Sequence, residues 1–335
     1  MLEKKWVFVI GGTAAMAIAV VLFAGCIDEG APPEETKVTL NAYFSAPKER
    51  WDALVVAAEE KFEEENPDID IDIDYMVYPY EDMHKKLLIM ASTNATADIV
   101  SVDQIWLGEF VEAEYIKDIT DEATTWGIED TLYAPYLEGC RYNNSYHAVW
   151  AWTDARLLWY RRDILKKADV EPEDLETWDG FLNAVPQIND AAEAAGMGGV
   201  AFPGAPWLVD WWYPFLFENG GKILVNVDDG YEAGFNNEAG REAAEFLLAM
   251  KQAGVEFPTT WMWGEEFAAG SHAVWFGGTW VVGKFTEEEK ATITDNVGVM
   301  MFPAPEGKES RTLSGGWLLA VPSSSEKPDI AWEFT

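Results

Sequence analysis

The stretch Ile69-Asp70-Ile71-Asp72-Ile73-Asp74-Tyr75 alternates apolar and acidic side chains without a break. A period of two places the isoleucines on one face of a β-strand and the aspartates on the other, which predicts a strand with one buried face and one face in water. Alternate residues on one strand face lie about 6.5 Å apart, too far for the aspartates to converge on one metal ion without a loop. We therefore expect no metal site here.

The segments before and after this strand predict a parallel sheet. Residues 38–44 form a short apolar-rich run typical of a first strand, and apolar residues recur at helical spacing over 51–62 until an Asn-Pro pair ends the helix. Residues 80–91 predict a second helix and residues 98–103 a short buried strand. Strand, helix, strand, helix, strand is the order of an α/β fold with a parallel sheet.

Residues that follow strand ends in this segment are candidates for ligand contact. In open α/β sheets, ligands bind beyond the carboxyl ends of the strands. The candidates for one wall of a cleft are Ser45, Asp103 and Trp106. Ordinary capping and turn chemistry is the alternative role for the same residues.

A second candidate region is the stretch Trp207-Leu208-Val209-Asp210-Trp211-Trp212-Tyr213-Pro214, which holds four aromatic side chains and one carboxylate. Aromatic faces suit the C–H faces of sugar rings, and a carboxylate accepts hydrogen bonds from hydroxyl groups. Trp207, Asp210 and Trp211 are therefore candidate ligand residues. The alternative is core packing, because Trp207 and Trp211 are four residues apart and would share a helix face.

Two glycine pairs are each followed closely by a tryptophan, in Gly277-Gly278-Thr279-Trp280 and in Gly315-Gly316-Trp317. Paired glycines let backbone amides approach a ligand, and the indole supplies a stacking face. Neither segment matches a phosphate-binding loop or a dinucleotide fingerprint. The candidate residues here are Gly278, Trp280, Gly315, Gly316 and Trp317.

Length and charge limit the possible architectures and partners. At 335 residues the chain exceeds the usual size of one hydrophobic core, which favours two lobes or domains. A net charge of -36, from 23 basic and 59 acidic residues, excludes a nucleic-acid partner and disfavours an anionic membrane face. Such an acidic surface fits either a saline habitat or a need for solubility.

The N-terminus is typical of an export signal. Lys4 and Lys5 precede an apolar run over residues 6–23, which ends in Ala24-Gly25-Cys26. The last residues look like a lipoprotein cleavage box, although Phe23 departs from the usual Leu. We expect a leader over 1–25, lipid attachment at Cys26, a tether over 26–37 and a location on the extracytoplasmic face of the cell membrane. An uncleaved N-terminal anchor is the alternative.

Several further motifs follow one another in a fixed order, and in that order they resemble the extracellular solute-binding proteins of sugar ABC transporters, the group that includes maltose- and trehalose-binding proteins. The resemblance covers nearly all of residues 37–335. The motifs are Glu63-Glu64-Glu65-Asn66-Pro67, residues 79–87, Ala97-Asp98-Ile99-Val100-Ser101-Val102-Asp103, Trp152-Thr153-Asp154, Tyr160-Arg161-Arg162-Asp163, Thr177-Trp178-Asp179, Asn219-Gly220-Gly221-Lys222, Phe267 with Gly270, and the two Gly-Gly-Trp segments.

The resemblance implies a two-lobed α/β fold of the periplasmic-binding-protein type II class, with a ligand cleft between lobes joined by crossing strands. Lobe 1 would comprise 37–150 plus 276–316, and lobe 2 would comprise 155–272 plus 317–335. The family continues with further helical sequence after residues 331–334, so we expect the C-terminal part to be missing. The sugar contacts that the resemblance implies are Ser45, Asp103, Trp152, Asp154, Trp211, Trp280, Gly315 and Trp317, with Trp280 as the foremost.

The implied function is a membrane-tethered monomeric receptor that binds sugar by hinge closure and passes it to permease subunits, with no cofactor and no catalysis. A secreted glycoside hydrolase is the first alternative, because the many acidic residues could include a catalytic pair. Against it, His84, His147 and His272 form no zinc-protease motif, and no nucleophile elbow is present. The second alternative is a non-sugar solute such as a peptide or polyamine, since Trp and carboxylate also bind cations.

Overall fold

The computed structural model describes residues 36–335 except 46, 206, 229, 261–263, 287–289 and 291–294. The expected leader, Cys26 and all but the last two residues of the expected tether lie outside the described residues. Within the part of the chain that is described, no helix is long and apolar enough to cross a membrane.

The strands alternate with helices along the chain, as predicted for an α/β fold. The strands are β1 (Thr36–Ser45), β2 (Ile69–Tyr78), β3 (Ile99–Asp103), β4 (Arg141–Tyr142), β5 (Ser145–Tyr146), β6 (Val149–Arg161), β7 (Gly198–Ala201), β8 (Leu224–Val227), β9 (Gly230–Ala233), β10 (His272–Gly278), β11 (Val297–Met300) and β12 (Ser314–Ala320).

The α-helices are α1 (Lys48–Glu65), α2 (Tyr80–Thr93), α3 (Leu107–Glu112), α4 (Thr120–Trp126), α5 (Ile128–Thr131), α6 (Ala134–Gly139), α7 (Arg162–Lys167), α8 (Trp178–Ala194), α9 (Leu208–Glu218), α10 (Glu238–Ala253), α11 (Glu265–Ala268) and α12 (Pro328–Glu333). Short 3₁₀ turns cover Gln104–Trp106, Pro172–Leu175 and Thr279–Lys284. Thr177 caps the N-terminus of α8, because its hydroxyl accepts a hydrogen bond from the backbone N–H of Gly180 at 3.1 Å.

The first three strands form the predicted parallel arrangement, with β1 between β2 and β3. The isoleucines of β2 face inward: Ile71 and Ile73 are buried, whereas Asp72 and Asp74 are exposed. Trp51 and Phe62 of α1 are buried in the same apolar cluster. The alternation in the sequence therefore set the orientation of β2 relative to the core.

Strand β6 joins two regions of one large mixed sheet, whose order is β2-β1-β3-β12-β6-β10-β7 with β11 also paired to β6. Residues 149–155 pair with β12, and residues 156–161 pair with β10 and β11. We call β2, β1, β3, β12 and residues 149–155 the first sheet region, and β7, β10, β11 and residues 156–161 the second sheet region. The polypeptide therefore passes from one region to the other near residues 154–156.

Separate apolar clusters cover the two regions. Phe110, Leu107 and Met83 belong to a cluster on the first sheet region. Phe181 and Phe215 belong to the largest cluster, which lies on the second region. Each region thus has a core of its own, as expected for a chain too long for a single core.

The strand pairing differs from the expected grouping of the later segments. Residues 297–300 pair with the second half of β6, although 276–316 was expected to join residues 37–150. Residues 317–320 pair with β3, and Ala331 packs in the cluster around β1, although 317–335 was expected to join 155–272. Local periodicity predicts that a strand forms but carries no information on which half of a long strand it will pair with.

Candidate ligand site

The candidate site is built around the middle of β6, where Trp152, Asp154 and Arg156 follow one another at every second position. A spacing of two places these side chains on the same face of the strand. All three are only partly exposed. An aromatic ring, a carboxylate and a guanidinium group therefore line one face where the two sheet regions meet.

Asp154 and Arg156 form the charged centre of the site. The Arg156 Nη1 atom lies 4.0 Å from Asp154 Oδ1, and each side chain is 16% exposed. Burial raises the pKa of Asp154, an effect that the positive charge of Arg156 opposes. The negative charges of Asp103 and Asp210 also act on Arg156. One buried guanidinium group thus faces three carboxylates drawn from both sides of the site.

An aromatic wall rises from the first sheet region. The ring of Trp317, on β12, lies 5.4 Å from the ring of Trp106 and 6.2 Å from that of Trp152. Tyr80, the first residue of α2, packs 4.9 Å from Trp106 and 5.8 Å from Trp317. These rings lie edge to face or tilted toward one another, which are the favourable geometries for aromatic pairs.

Asp103 is held by this wall at the end of β3. The hydroxyl of Tyr80 donates a hydrogen bond to Asp103 Oδ2 at 3.0 Å, and the backbone N–H of Ile105 donates to Oδ1 at 3.2 Å. Burial raises the pKa of Asp103 to about 6, even though both hydrogen bonds favour the charged carboxylate. The residue therefore acts as the cap of a turn and as a carboxylate beside the aromatic wall.

The second sheet region supplies two more tryptophans. Trp211, on α9, is 1% exposed, and its ring lies 6.4 Å from that of Trp280. The Arg156 guanidinium lies 5.3 Å from the ring of Trp211 and 5.7 Å from the ring of Trp280. Distances below about 6 Å suit cation–π attraction. Arg156 therefore connects the carboxylate of Asp154 on β6 with the rings of the second region.

A second arginine flanks the site. The guanidinium of Arg50, on α1, lies 4.7 Å from the ring of Trp152. Burial lowers the pKa of Arg50, and the charge of Asp154 opposes that shift. The ring of Trp51 meets Trp152 edge-on at 5.0 Å. Trp152 thus lies between an arginine, the core aromatic Trp51 and Trp317.

The structure brings most of the candidate residues together at the junction of the two regions. From the first region come Asp103, Trp106, Trp152, Asp154, Gly315 and Trp317, and from the second come Trp207, Asp210, Trp211 and Trp280. Trp211 is also a core residue, packed on Phe302 at 6.1 Å. Core packing, the alternative role for Trp207 and Trp211, therefore holds for Trp211, whereas Trp207, which immediately precedes α9, is only half-buried.

Three other candidates have evident structural roles. Ser45 is 1% exposed, its N–H donates to Ser101 Oγ at 2.8 Å, and its carbonyl accepts from Trp51 Nε1 at 2.7 Å. A Cβ atom on Gly278 would lie 1.9 Å from the ring of Trp280, and one on Gly316 would lie 2.3 Å from a backbone oxygen. Both glycines are thus required for close packing next to the site.

Sequence reasoning missed Tyr80, Arg156 and Arg50 as members of the site. Arg156 had a usable signal, because it lies two residues after Asp154 and strand periodicity places the two on one face. Tyr80 and Arg50 had no such signal. Each lies near the start of a helix, and the local sequence does not give the position of that helix relative to the site. Among the described residues, no group of three His, Cys, Asp or Glu side chains could hold a metal ion.

Comparison with known proteins identifies the family. The bacterial extracellular solute-binding protein family matches residues 44–335. The chain belongs to this family. Among curated relatives, the arabinooligosaccharide-binding protein of Bacillus subtilis is 22% identical over 95% of this chain and 73% of its own length. The xylose/arabinose-binding protein XacG of Haloferax volcanii is 24% identical over 84% of this chain and 62% of its own length.

Solved structures share the fold of this solute-binding protein. An ABC transporter solute-binding protein of Thermotoga lettingae bound with α-D-tagatose superposes with a TM-score of 0.73 at 22% identity, covering 88% of this chain and 76% of that one. Maltose-bound MalE3 of T. maritima gives 0.73 at 21% identity over 88% and 75%. At these identities the likeness concerns the fold alone, and it confirms the predicted two-lobed periplasmic-binding-protein class.

Proposed function

We propose that this protein is the extracytoplasmic substrate-binding component of an ABC importer, and that it binds a sugar or oligosaccharide at the junction of its two sheet regions. The observation that carries the proposal is the convergence of aromatic rings on the Asp154–Arg156 pair. Trp211 and Trp280 lie against Arg156, and Trp152, on the same strand face as the pair, packs against Trp317. Tryptophan faces match the C–H faces of sugar rings, and carboxylate and guanidinium groups match sugar hydroxyls.

The names of the relatives support a sugar as the ligand class. Both curated relatives are named for binding pentose sugars or their oligosaccharides, and the two solved neighbours hold tagatose and maltose. We extend that ligand class to this chain because its own site combines aromatic rings with charged groups that can hydrogen-bond to sugar hydroxyls. We infer reversible binding without turnover.

Closure of the two regions on the ligand would be the working motion. Residues near 154–156 and 302–314 cross between the regions and would act as the hinge, with the lobes corresponding to the two sheet regions. A sugar held first by one lobe gains contacts with the other only when the cleft shuts, so it shifts the population toward the closed form. The closed form would be delivered to the permease.

We further propose how the protein is tethered to the membrane, that it acts as a monomer, and how the permease recognises it. Lipid on Cys26, or an uncleaved N-terminal anchor, would tether the protein through residues 26–37 to the outer face of the cell membrane. A monomer suffices, because both walls of the site come from one chain. The permease subunits would recognise the closed pair of lobes.

A thermal-shift screen tests the proposal directly. The full chain, held in mild detergent, is heated with mono- and oligosaccharides of pentoses and hexoses, with polyamines and with short peptides. A ligand at 100 times its Kd stabilises the folded state by about 2.7 kcal/mol, which is readily seen as a rise in melting temperature. Chromatography of the mixture checks turnover. A rise with one sugar class and no new product is expected; a rise with only polyamines or peptides, or the appearance of product, would refute the proposal.

A further inference from the structure

Two stretches of the chain match the acceptor motif for N-linked glycosylation, in which serine or threonine stands two places after an asparagine and proline does not lie between them. They are Asn94-Ala95-Thr96 and Asn143-Asn144-Ser145. A motif this short also recurs by chance, so the surroundings of each asparagine must decide between them. A transferase needs the asparagine amide and the hydroxyl group to be accessible at the same time.

The first motif, Asn94-Ala95-Thr96, lies in the loop between α2 and β3. The side chains of Asn94 and Thr96 are exposed, and Ala95 between them is half-buried. Among the described residues, neither the Asn94 amide group nor the Thr96 hydroxyl has a hydrogen-bond partner. Both groups that the motif must present are therefore open to solvent.

The backbone of this loop is held in place through its middle residue. The N–H of Ala95 donates to the carbonyl of Met90 at 3.0 Å, and Ser324 Oγ donates to the carbonyl of Ala95 at 2.9 Å. Asn94 ends α2 in the left-handed conformation, with φ 48° and ψ 44°. The loop thus keeps Asn94 and Thr96 exposed on either side of an anchored residue.

Asn94 lies far from the ligand site along α2. Tyr80 begins this helix beside the aromatic wall, and Asn94 follows the last of its 14 residues. At a rise of 1.5 Å per residue, the two ends of the helix are about 20 Å apart. A bulky group on Asn94 therefore starts at the end of α2 that is remote from the site.

The second motif, Asn143-Asn144-Ser145, is engaged in a tight β-hairpin. Asn143 and Asn144 form the two-residue turn between β4 and β5, with φ values of 48° and 68°. Ser145 pairs with Tyr142 across the hairpin and is half-buried, and its hydroxyl hydrogen-bonds to the carboxylate of Asp118. The hydroxyl that this motif would present is therefore already in use.

We propose that Asn94 is an N-glycosylation site and that Asn143 is not. The donor is an oligosaccharide linked through phosphate or pyrophosphate to a polyprenol lipid. Asn94 Nδ2 forms a bond to the anomeric carbon of the sugar while the bond from that carbon to the phosphate oxygen breaks. The lipid phosphate leaves with the electron pair, and the amide nitrogen loses one proton to a base of the transferase.

The inference rests on the proposed extracytoplasmic location, because the acceptor motif is used in exported proteins. It adds a covalent modification that sugar binding itself does not require. A glycan is bulky and solubilising, and it belongs on the surface of a protein. Asn94 meets that condition without obstructing the cleft.

Peptide mass spectrometry tests the proposal on the full chain isolated from the membranes of the organism that encodes it. Trypsin releases residues 87–117, which include Asn94, and residues 142–156, which include Asn143. Peptide 87–117 should be heavier by one or more sugar residues, with the added mass on Asn94, and peptide 142–156 should have its unmodified mass. An unmodified peptide 87–117, or a glycan on Asn143, would overturn the proposal.

Variants expressed in the same organism separate the motif from the fold. Asn94→Gly removes the amide, and glycine adopts the left-handed conformation without strain. Thr96→Ala keeps Asn94 but removes the hydroxyl, and Thr96→Ser restores a hydroxyl. Asn94→Gly and Thr96→Ala should both lose the whole glycan and migrate faster in gel electrophoresis. Thr96→Ser and the control Asn143→Gly should migrate as wild type does; a glycan retained in Thr96→Ala would contradict recognition of this motif.

Cell fractionation and sugar titration distinguish failure of this inference from failure of the proposed function. If the chain stays in the cytoplasm, the proposed location fails and the glycosylation site fails with it. If the chain is exported and binds sugar while peptide 87–117 is unmodified, only the glycosylation site is refuted. If Asn94 carries a glycan but none of the sugars binds, the proposed ligand class fails and the glycosylation site stands.

Discussion

The rings of Tyr80 and Trp207 meet edge to face with their centroids 6.1 Å apart, although Tyr80 belongs to the first sheet region and Trp207 to the second. The hydroxyl of Tyr80 is also the donor to Asp103. This contact spans the site, so it exists only while the two regions are close together. Tyr80 therefore connects Asp103 of the first sheet region with Trp207 of the second while the two regions are close together.

Replacing Tyr80 should therefore favour the open arrangement. Tyr80→Ala removes the ring contact, worth about 0.5–1.5 kcal/mol for an aromatic pair, and should raise the Kd for sugar roughly 2- to 10-fold. Small-angle X-ray scattering of the unliganded protein should show a larger radius of gyration than wild type. Tyr133→Ala is the control, because Tyr133 is 80% exposed. Equal radii and equal affinities for the two variants would contradict a role of Tyr80 in closure.

Trp280 should contribute to affinity more than to stability. Its ring is partly exposed at the site and packs against Trp211 and Arg156. Trp280→Ala should weaken sugar binding by about 1–3 kcal/mol, or roughly 5- to 150-fold, through loss of ring stacking. Circular dichroism should show an intact fold. Trp126→Ala, at a position 52% exposed and outside the site, is the matched control. An unchanged Kd in Trp280→Ala would remove Trp280 from the site.

Sugar binding should weaken in acid because of Asp103. Burial raises the pKa of Asp103 to about 6, so the carboxylate becomes protonated just below neutral pH. A hydroxyl that donates to Asp103 favours the charged form, so lowering the pH from 7 to 5 should raise the Kd about tenfold. Calorimetry at the two pH values gives the ratio. Asp103→Asn should bind more weakly at pH 7 but show no such change; a wild-type Kd equal at both pH values would argue against contact with Asp103.

Glu218 should make the protein less stable in alkali. It ends α9, is 4% exposed, and its Oε1 accepts hydrogen bonds from Arg311 N–H at 2.9 Å and Ser310 Oγ at 3.3 Å. Burial raises its pKa to about 8. Because the folded-state pKa lies above the unfolded value, the stabilising contribution is full below about pH 4.5 and is lost as the pH rises to about 8.

Substitution by an uncharged isostere should remove this loss. Between pH 6 and pH 9, wild type should lose roughly 2–3 kcal/mol of unfolding free energy more than Glu218→Gln, as measured by urea denaturation. Glu193→Gln, at an exposed position, should follow wild type. Parallel pH profiles for wild type and Glu218→Gln would show that Glu218 does not titrate in this range.

The residues that were predictable are those whose signal is local. The alternation through Ile71 and Ile73 gave the face of β2, and the strand-end rule led to Asp103 and Trp106. The grouping of later segments was not predictable in the same way, because β11 and β12 pair with different halves of β6 and nothing in their own sequences states which. Arg156 was missed because the continuous course of β6 through the junction was not anticipated.

The place of β12 in the sheet has a consequence for how the chain acquires its structure. β12 lies between β3 and the first half of β6, and Trp317 pairs with Asp103 from roughly 200 residues later in the chain. The loop closed by this pairing is long, and its entropy cost must be met before the contacts form. The first sheet region thus remains incomplete until residues 314–320 are available. A chain emerging from the ribosome would complete its second sheet region first, and slow, late acquisition of the N-terminal region would be the rate-limiting event.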